Sequence, residues 1–243
     1  MKVSKRIFEL ETESAFSILE NANKLIKEGK DIVNLGIGQP DFKTPENIQE
    51  AAIKAIRDGH HGYTPSNGII ELREAISEMI EENYSANISA ENILITPGGK
   101  PVIFFSTLIL GGEDNEIIYP DPGFPIYKSM IKYSGAKPVP LILSEKDDFQ
   151  INIDELESLI TDKTSLIIIN NPNNPTGAFI PKEKIKQLVS MLEKFPHTYI
   201  LSDEIYSKII FENKAMPSLL EYESIRKRLI VLEGWSKTFC MTG

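Results

Sequence analysis

Ser165-Leu-Ile-Ile-Ile-Asn170, followed at once by Asn171-Pro-Asn-Asn-Pro-Thr-Gly177, is the stretch on which the fold turns. Ile167, Ile168 and Ile169 run together without alternation. A strand with one wet face alternates apolar and polar residues, whereas a strand covered on both faces need not. The Asn/Pro/Gly segment behind it continues neither a strand nor a helix and reads as a turn. Working outward, the same unit recurs. NILIT (92–96), EIIY (116–119), PVPLIL (138–143), TYILS (198–202) and RLIVLE (228–233) read as further buried strands. Helix-period segments such as Lys182 to Lys194 lie between most of them. This alternation predicts an α/β fold, a mostly parallel sheet with helices on both faces. Upstream, Ile18, Leu19, Ala22, Leu25 and Ile26, with Phe16, predict an amphipathic helix over 13–30 that stops near Gly29. A Gly/Pro/Asp loop follows from Asn34 to Pro45. Thr44-Pro45 then reads as the cap and first turn of a helix reaching about Asp58.

Composition narrows the function classes. The 243 residues suffice for a sizeable core, with 41% hydrophobic and 25% charged residues. A net charge of −9 argues against binding a nucleic-acid backbone. A single cysteine, Cys240, allows no internal disulfide and fits a reducing, cytoplasmic setting. His60, His61 and His197 lack metal-ligand spacing, so no metal is expected. The N-terminal basic residues are not followed by an apolar stretch, so no signal peptide is read. The run Val102 to Leu110 is too short to span a bilayer, so no membrane partner is read either.

In an open parallel sheet, ligands sit beyond the carboxyl ends of the strands. The segments after the expected strands are therefore the candidates. They offer Pro97-Gly98-Gly99-Lys100, Phe124 in PDPGF, Asn174 in the Asn/Pro loop, Asp203 with Tyr206, and Lys237 in GWSK. Each has a plain reading by itself: a tight turn, a core ring, a loop amide, a strand-end acid, a surface lysine. Together they suit an aldehyde-bearing phosphorylated pyridine. An amine forms the imine. A carboxylate keeps the ring nitrogen protonated. A phenol and an amide bond the ring oxygen, an aromatic face stacks, and glycine N–H groups at a helix start take the phosphate. A P-loop ATPase fails for want of a G-x-x-x-x-G-K-[ST] loop. A serine hydrolase fails too, because the S-x-x-K matches at Ser129–Lys132 and Ser224–Lys227 follow no strand end.

NNPNNPTG (170–177), SDEIY (202–206) and SKTFCMTG (236–243) resemble the signatures of the class I/II aminotransferases of the aspartate aminotransferase type. These are enzymes of pyridoxal phosphate (PLP) fold type I. NLGIGQPDF (34–42), GYTPSNGIIELREAI (62–76) and ITPGGKP (95–101) resemble that family's N-terminal half. The resemblance implies a homodimer using PLP, with an amino acid and a 2-oxo acid as substrates. Aspartate with 2-oxoglutarate is the expected pair.

By that resemblance Lys237 carries the cofactor as a Schiff base and later moves the substrate Cα proton. Asp203 pairs with the pyridinium nitrogen, Tyr206 and Asn174 with the ring oxygen, and Phe124 stacks. Gly99 and Lys100 hold the phosphate, and Tyr63 reaches the phosphate of the neighbouring subunit. Gly38 and Asn174 lie near the substrate carboxylate, and the loop bearing Gly38 acts as a lid. The resemblance divides the chain into an arm with part of a small domain (1–45) and a cofactor-binding large domain (46–243).

The sequence departs from the family in two places. Gly234 stands where some relatives carry a serine. The family continues past Gly243 with Trp-Arg, whose arginine binds phosphate. Farther on come a strand that enters the sheet between two strands present here and a second arginine for the substrate carboxylate. The large domain is thus expected to be incomplete at its C-terminus. Residues 1–243 alone are expected to be poorly soluble and inactive. Alternatives are another fold type I enzyme, such as a C–S lyase, or a non-catalytic binding or regulatory domain. Keto-acid formation with and without a 2-oxo acid acceptor separates lyase from aminotransferase.

Overall fold

A computed structural model describes residues 3–10, 14–211 and 216–243. Helices α1 (Ser14–Lys27), α2 (Glu46–Arg57) and α3 (Ile70–Tyr84) precede the sheet, and α4 (Lys100–Leu110) leads into it. Then come β1 (Glu116–Asp121), α5 (Ile126–Ser134), β2 (Lys137–Ile142), α6 (Ile153–Leu159), β3 (Thr164–Asn170), α7 (Lys182–Leu192) and β4 (Tyr199–Asp203). Two short helices, α8 (Glu223–Arg226) and α9 (Trp235–Thr238), flank β5 (Leu229–Leu232). Of the helix expected over 13–30, α1 is found, and Glu13 lies outside the described residues.

The five strands lie in the order β2-β1-β3-β4-β5, and every pairing is parallel. Unbroken isoleucines in β3 are explained by what covers them. Ile167 and Ile169 pack with Leu156 of α6 and with Ile185, Leu188 and Leu192 of α7. Ile168, between them, packs on the opposite face with Ile103 of α4 and with Tyr127 and Ile131 of α5. Each isoleucine is removed from water almost completely, worth about 1.5–3 kcal/mol per side chain.

Two local expectations are corrected. NILIT forms no strand. Ala90–Asn92 is a 3-10 turn, 93–96 is irregular, and Leu94 is 63% exposed. Ile95 N–H bonds to Asn67 O rather than into the sheet. An apolar run supplies strand propensity, but a strand persists only where a neighbour takes its backbone groups. No described strand lies beside 92–96, and β5 itself is paired on one side only, with β4. The second correction is at the start of α2. Pro45 stands at the cap position, and the Thr44 hydroxyl instead donates to Cys240 O at 2.9 Å.

Candidate active site

The chain passes from β1 out to β2 on one side and then crosses back to place β3, β4 and β5 on the other, so the sheet has a switch point between β1 and β3. Beyond the carboxyl ends of strands at such a point lies a crevice. Register puts the strand ends level. Asn170 pairs with Asp203, and Asp203 with Leu232. The segments leaving β1, β3, β4 and β5 therefore gather at one rim. Phe124 comes from the loop after β1, Asn174 from the loop after β3, Asp203 and Tyr206 from the end of β4, and Lys237 from α9 after β5.

Asp203 is 4% exposed. Tyr127 O–H donates to its Oδ2 at 2.6 Å, and Ile205 N–H to Oδ1 at 3.2 Å. Burial raises its pKa to about 6 against the pull of those two donors. Tyr206 is held as a neutral phenol by its burial, with the Asp203 charge adding to the effect. Asn174 Nδ2 donates to Tyr206 O–H at 3.4 Å, and Asn174 N–H donates to Asn170 Oδ1 at 2.7 Å. Asn170 Nδ2 in turn donates to Asp203 O at 3.1 Å. The loop after β3 is thus tied to the end of β4. An open cleft of about 470 Å³, lined by Pro172, Asn173, Phe179 and Ile210 among others, borders Asn174 and Tyr206.

Lys237 is half-buried, and loss of water lowers its pKa. Its Nζ donates to Gly38 O at 2.8 Å, which brings the N-terminal loop onto the lysine. Lys237 and Asp203 form no ion pair with each other. Gly234 packs so closely on Ile205 that an added Cβ would lie 3.0 Å from Ile205 Cδ1. The lysine segment is therefore seated on the turn that follows Asp203. Gly99 meets Leu232 in the same way, at 3.2 Å. So the Gly98-Gly99 turn reaches the rim although no strand precedes it. Gly98 takes φ +85°, where a side chain would be strained, and has open space around it. Lys100 opens α4 directly behind.

Tyr63 is not brought in. It is fully exposed among the described residues of its own chain. Tyr127 is the residue that sequence reasoning missed. It stands three positions after Phe124 across the turn that enters α5, where its N–H bonds to Phe124 O at 3.0 Å. Its partner Asp203, however, is 76 residues away.

Residues 30–243 match the family described as aminotransferase class I and II. The chain belongs to the class I and II aminotransferase family. It is 39% identical over 241 residues to the (5-formylfuran-3-yl)methyl phosphate transaminase of Methanocaldococcus jannaschii, covering 99% of this chain and 61% of that protein. It is 38% identical over 243 residues to the aspartate aminotransferase of Sulfolobus acidocaldarius, covering 99% and 60%. The solved aspartate aminotransferase of Thermus thermophilus with maleate superposes with a TM-score of 0.93 at 30% identity, covering 100% and 63%. The family member described here thus spans about three fifths of the length of these relatives.

The family's cofactor is pyridoxal phosphate, and the residues present fit it. A desolvated amine and a buried carboxylate without an ionic link to it stand on adjoining strand ends. An aromatic ring, a phenol–amide pair and an open glycine turn lie around them. Among the described residues, no helix is long and apolar enough to cross a membrane.

Proposed function

We propose that this chain is the cofactor-binding part of a PLP-dependent aminotransferase of the aspartate type, moving an amino group between an α-amino acid and a 2-oxo acid. The observation that carries the reading is the buried Asp203 carboxylate on β4, with the Lys237 segment seated against its turn from the next parallel strand. When bound, the cofactor supplies an aldehyde for an amine and a cationic ring that withdraws electrons from the substrate Cα–H bond. Lys237 Nζ is the amine that holds it. Desolvation favours the neutral, nucleophilic form of Lys237 and suits it to carry a proton at Cα afterwards. Asp203 holds the proton on the ring nitrogen. Tyr206 and Asn174 donate toward the ring oxygen, and Phe124 stacks on the ring. The Gly99 and Lys100 backbone, at the N-terminus of α4, takes the phosphate. Gly38, with Asn174, lies toward the substrate carboxylate.

The aspartate assignment rests on relatives bearing that name. We further propose a homodimer to which Tyr63 contributes across the interface. Its support is the apolar face of α2, where Ile53 and Ile56 are exposed, together with exposed Phe105 and Ile109 of α4. We also propose the division at residue 45 on the family pattern alone, since α1 and α2, on its two sides, both lack a buried face among the described side chains. The single thiol fits a cytoplasmic setting.

The test is an absorbance scan of chain 1–243 with added PLP. We expect an imine band that borohydride removes, with the label mapping to Lys237, and no such adduct in Lys237→Ala. An adduct of equal yield in Lys237→Ala would refute the assignment.

A further inference from the structure

We infer that Tyr127 is a positioning residue for Asp203: its phenol takes one carboxylate oxygen, which leaves the other aimed at the cation the site binds. The inference rests on the proposed function, in which that cation is the cofactor's ring nitrogen.

Tyr127 stands in the first turn of α5 and has no exposed surface. Its hydroxyl lies 2.6 Å from Asp203 Oδ2, the short spacing of an O–H donating to an anion. Ile205 N–H approaches Oδ1 at 3.2 Å, so the two oxygens are held from different directions. Rotation of the carboxylate would break both bonds. The Tyr127 ring is itself fixed. Phe124 meets it edge to face, centroids 5.8 Å apart and planes at 88°. Ile103, Ile131, Ile168 and Leu201 belong to the same packed cluster. One turn of chain after β1 therefore carries both the stacking ring and the clamp on the acid.

The clamp has an electrostatic consequence. A donor to the charged form lowers the proton affinity of a buried acid. Tyr127 cannot give up its own proton instead, because burial and the Asp203 charge push its pKa far up. The other titratable group that responds to Asp203 is Tyr206, on the turn after β4, also a neutral phenol. From β3, Asn170 bonds only the Asp203 backbone, and from β5 the register partner is the apolar Leu232. Glu204 turns away, toward Ser202 and Ser218. Tyr127 is thus the one side chain that donates to the acid among the described residues. A buried phenol needs some acceptor, and a backbone carbonyl would serve; here the acceptor is the charged acid of the site.

The experiment is a carbon-13 NMR titration of the Asp203 carboxyl in chain 1–243 without cofactor, the resonance assigned by its loss in Asp203→Asn. Tyr127→Phe is expected to raise the titration midpoint by about one unit or more, a tenfold change in proton affinity. A fluorinated tyrosine at position 127, a stronger donor of the same shape, is expected to lower it. That second variant keeps the test open if Tyr127→Phe folds poorly. With PLP added, Tyr127→Phe should weaken cofactor binding about tenfold, and should have no further effect in an Asp203→Asn background. An unmoved midpoint in either variant, or an equal loss of binding with Asn at 203, overturns the inference. A wild-type chain that forms no reducible adduct would overturn the cofactor reading alone, because the Asp203 titration needs no cofactor.

Discussion

Adjacent acids at the end of β4 meet opposite fates. Asp203 points to the rim and is held by Tyr127 and Ile205. Glu204 points inward and is 1% exposed. Ser202 and Ser218 hydroxyls and the Leu219 N–H all converge on its Oε1, while Oε2 has no hydrogen-bond partner among the described residues. Burial pushes its pKa to about 7, with Glu233 adding to the rise and the three donors opposing it. The unfolded value is about 4.3. A folded value above the unfolded one means that the folded state binds the proton more readily. The stabilisation is complete below about pH 4.3 and is lost as pH climbs through about 7. Asp203, raised to about 6, acts in the same direction over a lower window. Stability of the cofactor-free chain should therefore fall from pH 5 to pH 8. Glu204→Gln should remove most of the Glu204 share, on the order of 3 kcal/mol. Urea midpoints at the two pH values check this, and equal slopes in the two proteins would contradict it. The SDEIY motif singled out Asp203 as a candidate, and the structure buries it at the end of β4. The Glu204 partner Ser218 was not legible in it, because the bond between them depends on how the loop after β4 folds back.

At the scale of elements, β3 shows how much a short stretch specifies. Three consecutive isoleucines were enough to call for cover on both faces, and α6 and α7 on one side and α4 and α5 on the other provide it. The cost of losing one should be large. Ile168→Ala is expected to destabilise by about 2–5 kcal/mol, the transfer term plus an unfilled cavity. The cap of α6 makes a contrast. Asn152 Oδ1 accepts from the N–H groups of Asp154 and Glu155 at an exposed helix start. Asn152→Ala should cost about 1 kcal/mol. Denaturant midpoints of the two variants should keep that order, and a cap variant as damaging as the core one would count against it. NILIT is the element the pattern misjudged. Its composition matches the true strands, but propensity is a local quantity and pairing is not.

For the whole molecule, apolar residues on the outside set the behaviour. Ile56 and Ile109 are exposed on α2 and α4, and the outer side of β5 is unpaired among the described residues. Chain 1–243 is expected to self-associate. Ile56→Glu with Ile109→Glu should shift it toward smaller species in sedimentation velocity without lowering its melting temperature. A wild-type chain that stays monomeric at tens of micromolar would contradict this. By itself the sequence determined the class of fold and five of the six strands it called for, and it singled out Asn174, Asp203, Tyr206 and Lys237 as candidates. Periodicity and turn residues are local signals, and a motif keeps its residues together. The tertiary structure alone decided that Tyr127 clamps Asp203, that Gly38 rests on Lys237, that Gly99 reaches the rim without a strand behind it, and that 92–96 stays unpaired. Each of those depends on which distant segment lies alongside, and that is fixed only when the two faces of the sheet are buried.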